Sequence, residues 1–141
     1  MVVPIGFFCE DIQFELDDSS SVVAWLQQVA QSHESGIEAL NYIFVSDDYL
    51  LRLNQEHLGH DTYTDIITFP LVEGRGKNIQ GDIYISIERV RENAATLKYD
   101  LTDELARVMV HGLLHLLGLN DHNPEERAAM RVAEDAALGM R

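Results

Sequence analysis

The sequence predicts a single α+β domain, a mixed α/β arrangement in which a small sheet of roughly four strands is packed with helices and a candidate metal site lies at the end of a core helix. Three observations lead there. The chain has 141 residues and one cysteine, Cys9, so it can bury a core without a disulfide and cannot build a metal site from several thiolates. Its 46% hydrophobic and 24% charged composition is that of an ordinary globular protein. Stretches of strand-like composition alternate with stretches of helical period, and no repeat, low-complexity tract or linker divides residues 1–141.

In chain order, "IGFFCEDIQFEL" predicts one or two short strands, with clearer alternation from Ile12 through Phe14 to Leu16. The serines at 19 to 21 offer caps to a helix that places Val22, Val23, Leu26, Val29 and Ala30 on one face, beside Trp25, and fades near Ser35 and Gly36. "ALNYIFVS" has strand composition, and Ser46 then caps "DDYLLRLNQEHL", whose early aspartates suit a positive helix terminus. "TDIITFP" predicts a buried strand stopped by Pro70, "IQGDIYIS" predicts another, and "VEGRGKN" between them supplies a loop or wide hairpin. Ser86 caps "IERVRENAATLK". Thr102 or Asp100 opens "TDELARVMVHGLLHLLG", where Leu105, Val108, Met109, Leu113 and Leu116 follow a helical period and Gly118 is the stop. Asn123, Pro124 and Glu126 supply an N-cap, a first-turn proline and a third-position acid for a last helix to about Leu138.

Charge narrows the partners. With 24 acids against 10 bases the formal charge is −14, which opposes indiscriminate binding to phosphate polymers and anionic membranes. No DNA or membrane partner is expected, and an RNA role requires a local basic patch, a bridging cation or a protein partner. The start "MVVPIGFFC" lacks the basic residue that precedes a secretory signal, and no apolar run approaches the twenty residues that span a bilayer. A soluble, cytoplasmic protein is expected.

The chemistry concentrates in "HGLLHLLGLNDH", residues 111 to 122. His111 and His115 lie one helical turn apart, so both rings project from one face and can meet one ion. Gly118 then lets the chain turn back, bringing residue 121 or 122 to the same point. Three protein ligands leave a fourth zinc position for water, whose pKa the ion lowers to about 7. The spacing is similar to the zinc-protease pattern H-E-x-x-H-x-x-G-x-x-H over its first histidine, second histidine and glycine. Position 112 is Gly rather than Glu, so the protease's general base is missing and peptide hydrolysis loses its proton acceptor. Strict register makes Asp121 the third ligand; ligand type alone favours His122. Spacing is the criterion adopted, which gives one Zn²⁺ held by His111, His115 and Asp121, with His122 as runner-up.

Four stretches together resemble the YbeY family of bacterial endoribonucleases, also called ribosomal RNA maturation factors: "NQEHLGHDTYTDIITFP" from Asn54, "GDIYIS" from Gly81, "HGLLHLLG" from His111, and "DH" at 121 and 122. The resemblance implies a single α+β domain with a zinc site, metal-dependent cleavage of single-stranded RNA, and roles in small-subunit ribosomal RNA maturation and ribosome quality control. Two departures stand out. The family ending is "GYDH" with histidine as third ligand, whereas "GLNDH" has one extra residue that moves Asp121 into that register. Many members carry an arginine four residues after the asparagine equivalent to Asn54, and here that position is Leu58, which removes a cation able to hold phosphate.

The leading expectation is therefore a zinc-dependent, single-strand-specific endoribonuclease, a hydrolase acting on ribosomal RNA. The competing one is a metal-stabilised ribosome-assembly binding module with little or no nuclease activity, docked on a basic ribosomal protein; the acidic surface and Leu58 motivate it. His57, His60 and Asp61 receive no role, since loop polarity accounts for them equally well. Arg75 and Lys77 are candidate phosphate contacts on a glycine-bearing loop where exposed bases are commonplace, and Asp82 is read as tying a strand end.

Overall fold

The computed structural model describes residues 4–59 and 62–141. Its elements run β1 (Ile5–Cys9), α1 (Ser19–Ser32), β2 (Gly36–Val45), α2 (Asp47–Leu58), β3 (Ile66–Val72), β4 (Asn78–Ser86), α3 (Ile87–Leu97), α4 (Leu101–Leu116) and α5 (Pro124–Leu138). The four strands form one mixed sheet in the order β1-β2-β4-β3. The pairs β1–β2 and β2–β4 are parallel and β3–β4 is antiparallel, as short hairpin and longer helical crossovers require. The architecture is the expected single α+β domain.

Alternation along the strands separates two faces. Leu40, Tyr42 and Phe44 of β2 and Ile79, Ile83 and Ile85 of β4 point into the main core with Leu26 and Val29 of α1 and the apolar stripe of α4. Ile43, Val45 and Ile67 point the other way and are covered by Leu50 of α2. Leu105, Val108, Met109, Leu113 and Leu116 are all buried, as their period predicts. Each such side chain contributes roughly 1.5–3 kcal/mol on leaving water, so α4 is fixed in the core along its whole length.

Local signals set the helix ends. The hydroxyls of Ser46 and Ser86 accept from the backbone N–H of Tyr49 and Arg89 at the starts of α2 and α3. Asn123 Oδ1 accepts from Glu126 N–H at the start of α5. Glu126 Oε1 reaches back one residue further than a standard capping box and accepts from His122 N–H. Asp100 precedes α4 without a side-chain cap, and Asp18, in a left-handed conformation, precedes α1. The serines expected to cap α1 therefore begin the helix itself.

Three expectations change. Only Ile5–Cys9 is a strand in the N-terminal segment; Phe14 and Leu16 alternate as foreseen and pack on the core, with Phe14 edge-on to Phe44 at 4.9 Å, but their backbone joins no ladder. Pro70 does not stop β3, which continues to Val72. Because β3 lies at the sheet edge, the missing N–H of Pro70 is tolerated and the register shifts between Pro70 and Val72. For the same reason β3 is half-exposed rather than buried. Among the described residues, no helix is long and apolar enough to cross a membrane.

Candidate metal centre

Two close approaches place α4 over the β3–β4 pair. A Cβ on Gly112 would stand 2.9 Å from the Cδ1 atoms of Ile66 and Ile83, and one on Gly81 would stand 2.9 Å from the Phe69 carbonyl and 3.2 Å from Leu116. Gly112 thus faces the sheet, while His111 and His115 project together to one side of it, into the cleft. The absence of glutamate at 112 is a packing requirement of this fold, since a side chain there would enter the core rather than the site.

Gly118 ends the helix in a left-handed conformation at φ 101°. Its N–H donates to the His115 carbonyl, and Leu119 N–H donates to the Leu114 carbonyl, the paired bonds of a Schellman turn. The β3–β4 loop adds a third satisfied carbonyl, with Gly74 N–H donating to Leu116 O at 2.7 Å. This reversal returns Asp121 to the histidines. His111 Nε2 and His115 Nε2 are 3.1 Å apart, and Asp121 Oδ2 stands 3.5 Å from the first and 3.3 Å from the second. Among the described residues, these three form the one group of histidine, cysteine and acidic side chains whose ligand atoms all converge.

The outward nitrogens fix what the inward ones offer. His115 Nδ1 lies 3.0 Å from the Leu119 carbonyl, which only accepts, so the ring proton sits on Nδ1. His111 Nδ1 lies 2.6 Å from Glu134 Oε2. Burial opposes ionisation of Glu134, but its hydrogen bonds to His111 and Arg107 outweigh that and hold its carboxyl below the usual range, so it too accepts. Both imidazoles therefore turn an Nε2 lone pair toward a carboxylate oxygen. Three acceptors without a donor between them suit a cation, and the negative C-terminal end of α4 favours one further. Burial works against charge on His111, yet Glu134, Asp121 and Asp65 together raise its pKa, so a proton competes with a metal ion there.

His122, the runner-up ligand, belongs to the wall of the same cleft but not to the converging group. The cleft holds about 710 Å³ and is walled by Asn54 and Leu58 of α2, by the segment from Thr62 to Thr68, by Glu73, and by His111, His115, Asp121 and His122. Leu58 stands exposed on its rim where the family resemblance puts arginine. No lysine or arginine lines the cleft among the described residues, whereas Asp65, Glu73 and Asp121 do. Burial pushes the Asp65 carboxyl up, against the pull of its own backbone N–H, His111 and Arg89.

Other candidates fall elsewhere. Asn41 Nδ2 donates to Asp82 Oδ1 at 3.0 Å, so this aspartate, expected to tie a strand end, instead links the middle of β4 to β2. Arg75 pairs with Glu34 at 3.4 Å on the surface, and neither Arg75 nor Lys77 lines the cleft. His57 meets the edge of Phe69 at a ring separation of 5.8 Å, and His60 and Asp61 lie outside the described residues. Sequence reasoning missed Glu134, Arg107 and Asp65. An acid on the buried Met130–Ala137 stripe of α5 was the available signal for Glu134.

Comparison with known proteins fits this geometry. The family model described as "Endoribonuclease YbeY" matches residues 8–140. An Endoribonuclease YbeY from Cytophaga hutchinsonii is 49% identical over 97% of this chain and 95% of its own length. One from Amoebophilus asiaticus is 48% identical over 92% of this chain and 88% of its own length. The solution structure of TM1509 from Thermotoga maritima superposes with a TM-score of 0.67 at 28% identity, covering 96% of this chain and 87% of that one. With matches of this extent in sequence and in fold, the chain belongs to the YbeY endoribonuclease family.

Proposed function

We propose that this protein is a zinc-dependent endoribonuclease specific for single-stranded RNA, working in the cytoplasm on ribosomal RNA maturation and ribosome quality control. The observation that carries the reading is the spacing of the three lone-pair donors. One zinc ion bound tetrahedrally at about 2.0–2.2 Å needs donors roughly 3.3–3.6 Å apart. His111, His115 and Asp121 stand 3.1–3.5 Å apart at the floor of a cleft open to substrate. When bound, the ion supplies Lewis acidity toward a phosphoryl oxygen and acidifies water.

The chain's own part is positioning. His111 and His115 are held through Nδ1 so that Nε2 faces inward, and Asp121 removes positive charge from the centre. Thr62, Tyr63, Thr64 and Thr68 line the cleft wall, a polar composition suited to ribose and base edges. With no lysine or arginine among the described lining residues, the metal is the principal cation available to the scissile phosphate. The acidic surface, at −14 overall, suits a basic ribosomal protein as a further partner.

The test uses purified, zinc-loaded protein on defined single-stranded and duplex RNAs, beside a His115→Ala variant. Cleavage of the single strand by the wild type, lost in His115→Ala and on chelation, supports the reading. Full cleavage by His115→Ala overturns the metal-dependent mechanism. Zinc-loaded wild type that cuts neither RNA but binds a ribosomal protein replaces the nuclease with the assembly-module reading.

A further inference from the structure

Helix α5 contributes a buried carboxylate to the back of the metal centre. Glu134, whose side chain is 8% exposed, divides its two oxygens: Oε2 accepts from His111 Nδ1 at 2.6 Å and Oε1 accepts from Arg107 Nη1 at 2.9 Å. Arg107 sits one turn before His111 on α4 and spends its other terminal nitrogen on Asp135 Oδ1 at 2.8 Å. The result is a continuous line of charge-assisted hydrogen bonds, Asp135–Arg107–Glu134–His111, ending at the nitrogen opposite the one that faces Asp121.

We propose that Glu134 is a positioning residue for the metal centre, secured by Arg107, so that α5 belongs to the site although none of its side chains reaches the ion. The proposal rests on the metal-dependent reading above. A helix-to-helix tie alone would not need this arrangement. Arg107 to Asp135, at the surface, already joins α4 to α5, whereas Glu134 places a charge inside the protein and aims its second oxygen at an imidazole. A buried carboxylate is held ionised only by compensating positive charge. Arg107 provides that charge independently of His111, so Glu134 remains an acceptor when His111 is neutral, as a metal ligand must be.

Glu134 thereby does three things to one ring. It keeps the proton on Nδ1, fixes the ring plane and increases the electron density available at Nε2. His115 receives only the first two, from the neutral Leu119 carbonyl in the Schellman turn. The two histidines are therefore unequal donors, and His111 depends on a residue 23 positions away in sequence.

Two measurements on the full chain test this. In imidazole ¹⁵N–¹H correlation spectra of the metal-free protein, recorded above the titration of His111, the wild-type ring carries its proton on Nδ1. Glu134→Ala populates both tautomers, and Glu134→Gln, with one acceptor oxygen for two donors, restores the wild-type signature only in part. Zinc affinity, measured by competition with a chromophoric chelator, falls about 10–100-fold in Glu134→Ala and less in Glu134→Gln. Asp135→Ala, which cuts the surface tie but spares Glu134, stays within a few-fold of the wild type. A wild-type proton on Nε2, or zinc affinity within twofold of wild type in both Glu134 variants, overturns the proposal. Wild-type protein with no measurable zinc affinity defeats the metal-centre reading itself, a result distinct from unchanged variants beside a zinc-binding wild type.

Discussion

The phenolic Oη of Tyr42 donates at 2.9 Å to the carbonyl oxygen of Met109, joining β2 to α4 two residues before His111. Complete burial pushes the phenol far above its usual pKa, so it remains a donor wherever the protein is folded. Tyr42→Phe deletes the hydroxyl and keeps the ring, which stacks beside Phe7 at 5.9 Å. A loss of about 0.5–1.5 kcal/mol is expected in urea unfolding, with zinc affinity unchanged. An unchanged midpoint would show that the bond adds nothing net.

Gly112 is where the helix presses hardest on the sheet. Gly112→Ala gains about 1 kcal/mol in helix propensity. It also forces a methyl to 2.9 Å from the ends of half-buried Ile66 and buried Ile83 and 3.2 Å from Ile83 Cγ2. Overpacking of this kind costs about 1–3 kcal/mol, so a net destabilisation of roughly 1 kcal/mol is expected by thermal or urea unfolding. Weakened zinc binding should accompany it, because both flanking histidines ride on the displaced helix. Gly112→Glu should fail to create peptidase activity, as its side chain enters the core.

The choice between Asp121 and His122 is decided by metal content. Zinc bound per chain should collapse in Asp121→Ala and persist in His122→Ala, measured on dialysed protein by elemental analysis. The reverse pattern would move the third donor to residue 122 and require the turn after Gly118 to rearrange.

Glu104 supplies the pH dependence. It is buried, and among the described residues its Oε1 has no hydrogen-bond partner. Desolvation pushes its pKa up from 4.5, Asp65 and Glu134 push the same way, and Arg107 and Arg131 pull back without cancelling them. Between the unfolded and folded values the folded state binds more protons, so this group's contribution to stability is fully present below about 4.5 and is lost as pH rises through the folded value. Glu104→Gln removes the ionisation. Its stability relative to wild type should rise across that window and stand above its value at low pH once neutral pH is reached. A difference that is flat with pH would rule out the ionisation as the cause.

RNA affinity should respond weakly to salt. Because no lysine or arginine lines the cleft among the described residues, few phosphates are neutralised by side chains. Single strands give a slope of about −0.7 per neutralised phosphate, so the plot of log affinity against log salt should have a slope of only about −1. A slope of about −4 or steeper would locate the RNA on another surface.

Legibility in the sequence followed the range of the interactions. Ser46, Ser86, Asn123 and Gly118 announce helix boundaries because each acts on backbone groups within five residues, and the structure bears those boundaries out. The core face of α4 was equally plain from its period. Pro70 misled because its tolerance depends on β3 being an edge strand, a property of the assembled sheet. Ile12 to Leu16 misled because alternation reports burial of alternate side chains and says nothing of whether a neighbouring strand exists. At the site, the separation of His111, His115 and Asp121 was readable because a helix and a glycine turn convert sequence spacing into distance. Glu134 was readable only as an acid on the buried stripe of α5, since nothing local indicates that this stripe meets His111.

Loop-closure arithmetic gives the donor cluster one further property. His111 and Asp121 are ten residues apart, whereas the sheet joins partners such as Ile43 and Tyr84, 41 residues apart. Bringing the donors together is less costly in chain entropy by about 1 kcal/mol. The three donors therefore need little of the chain to be ordered before they can meet, and their proximity owes less to the closing of the sheet than the pairing of its strands does.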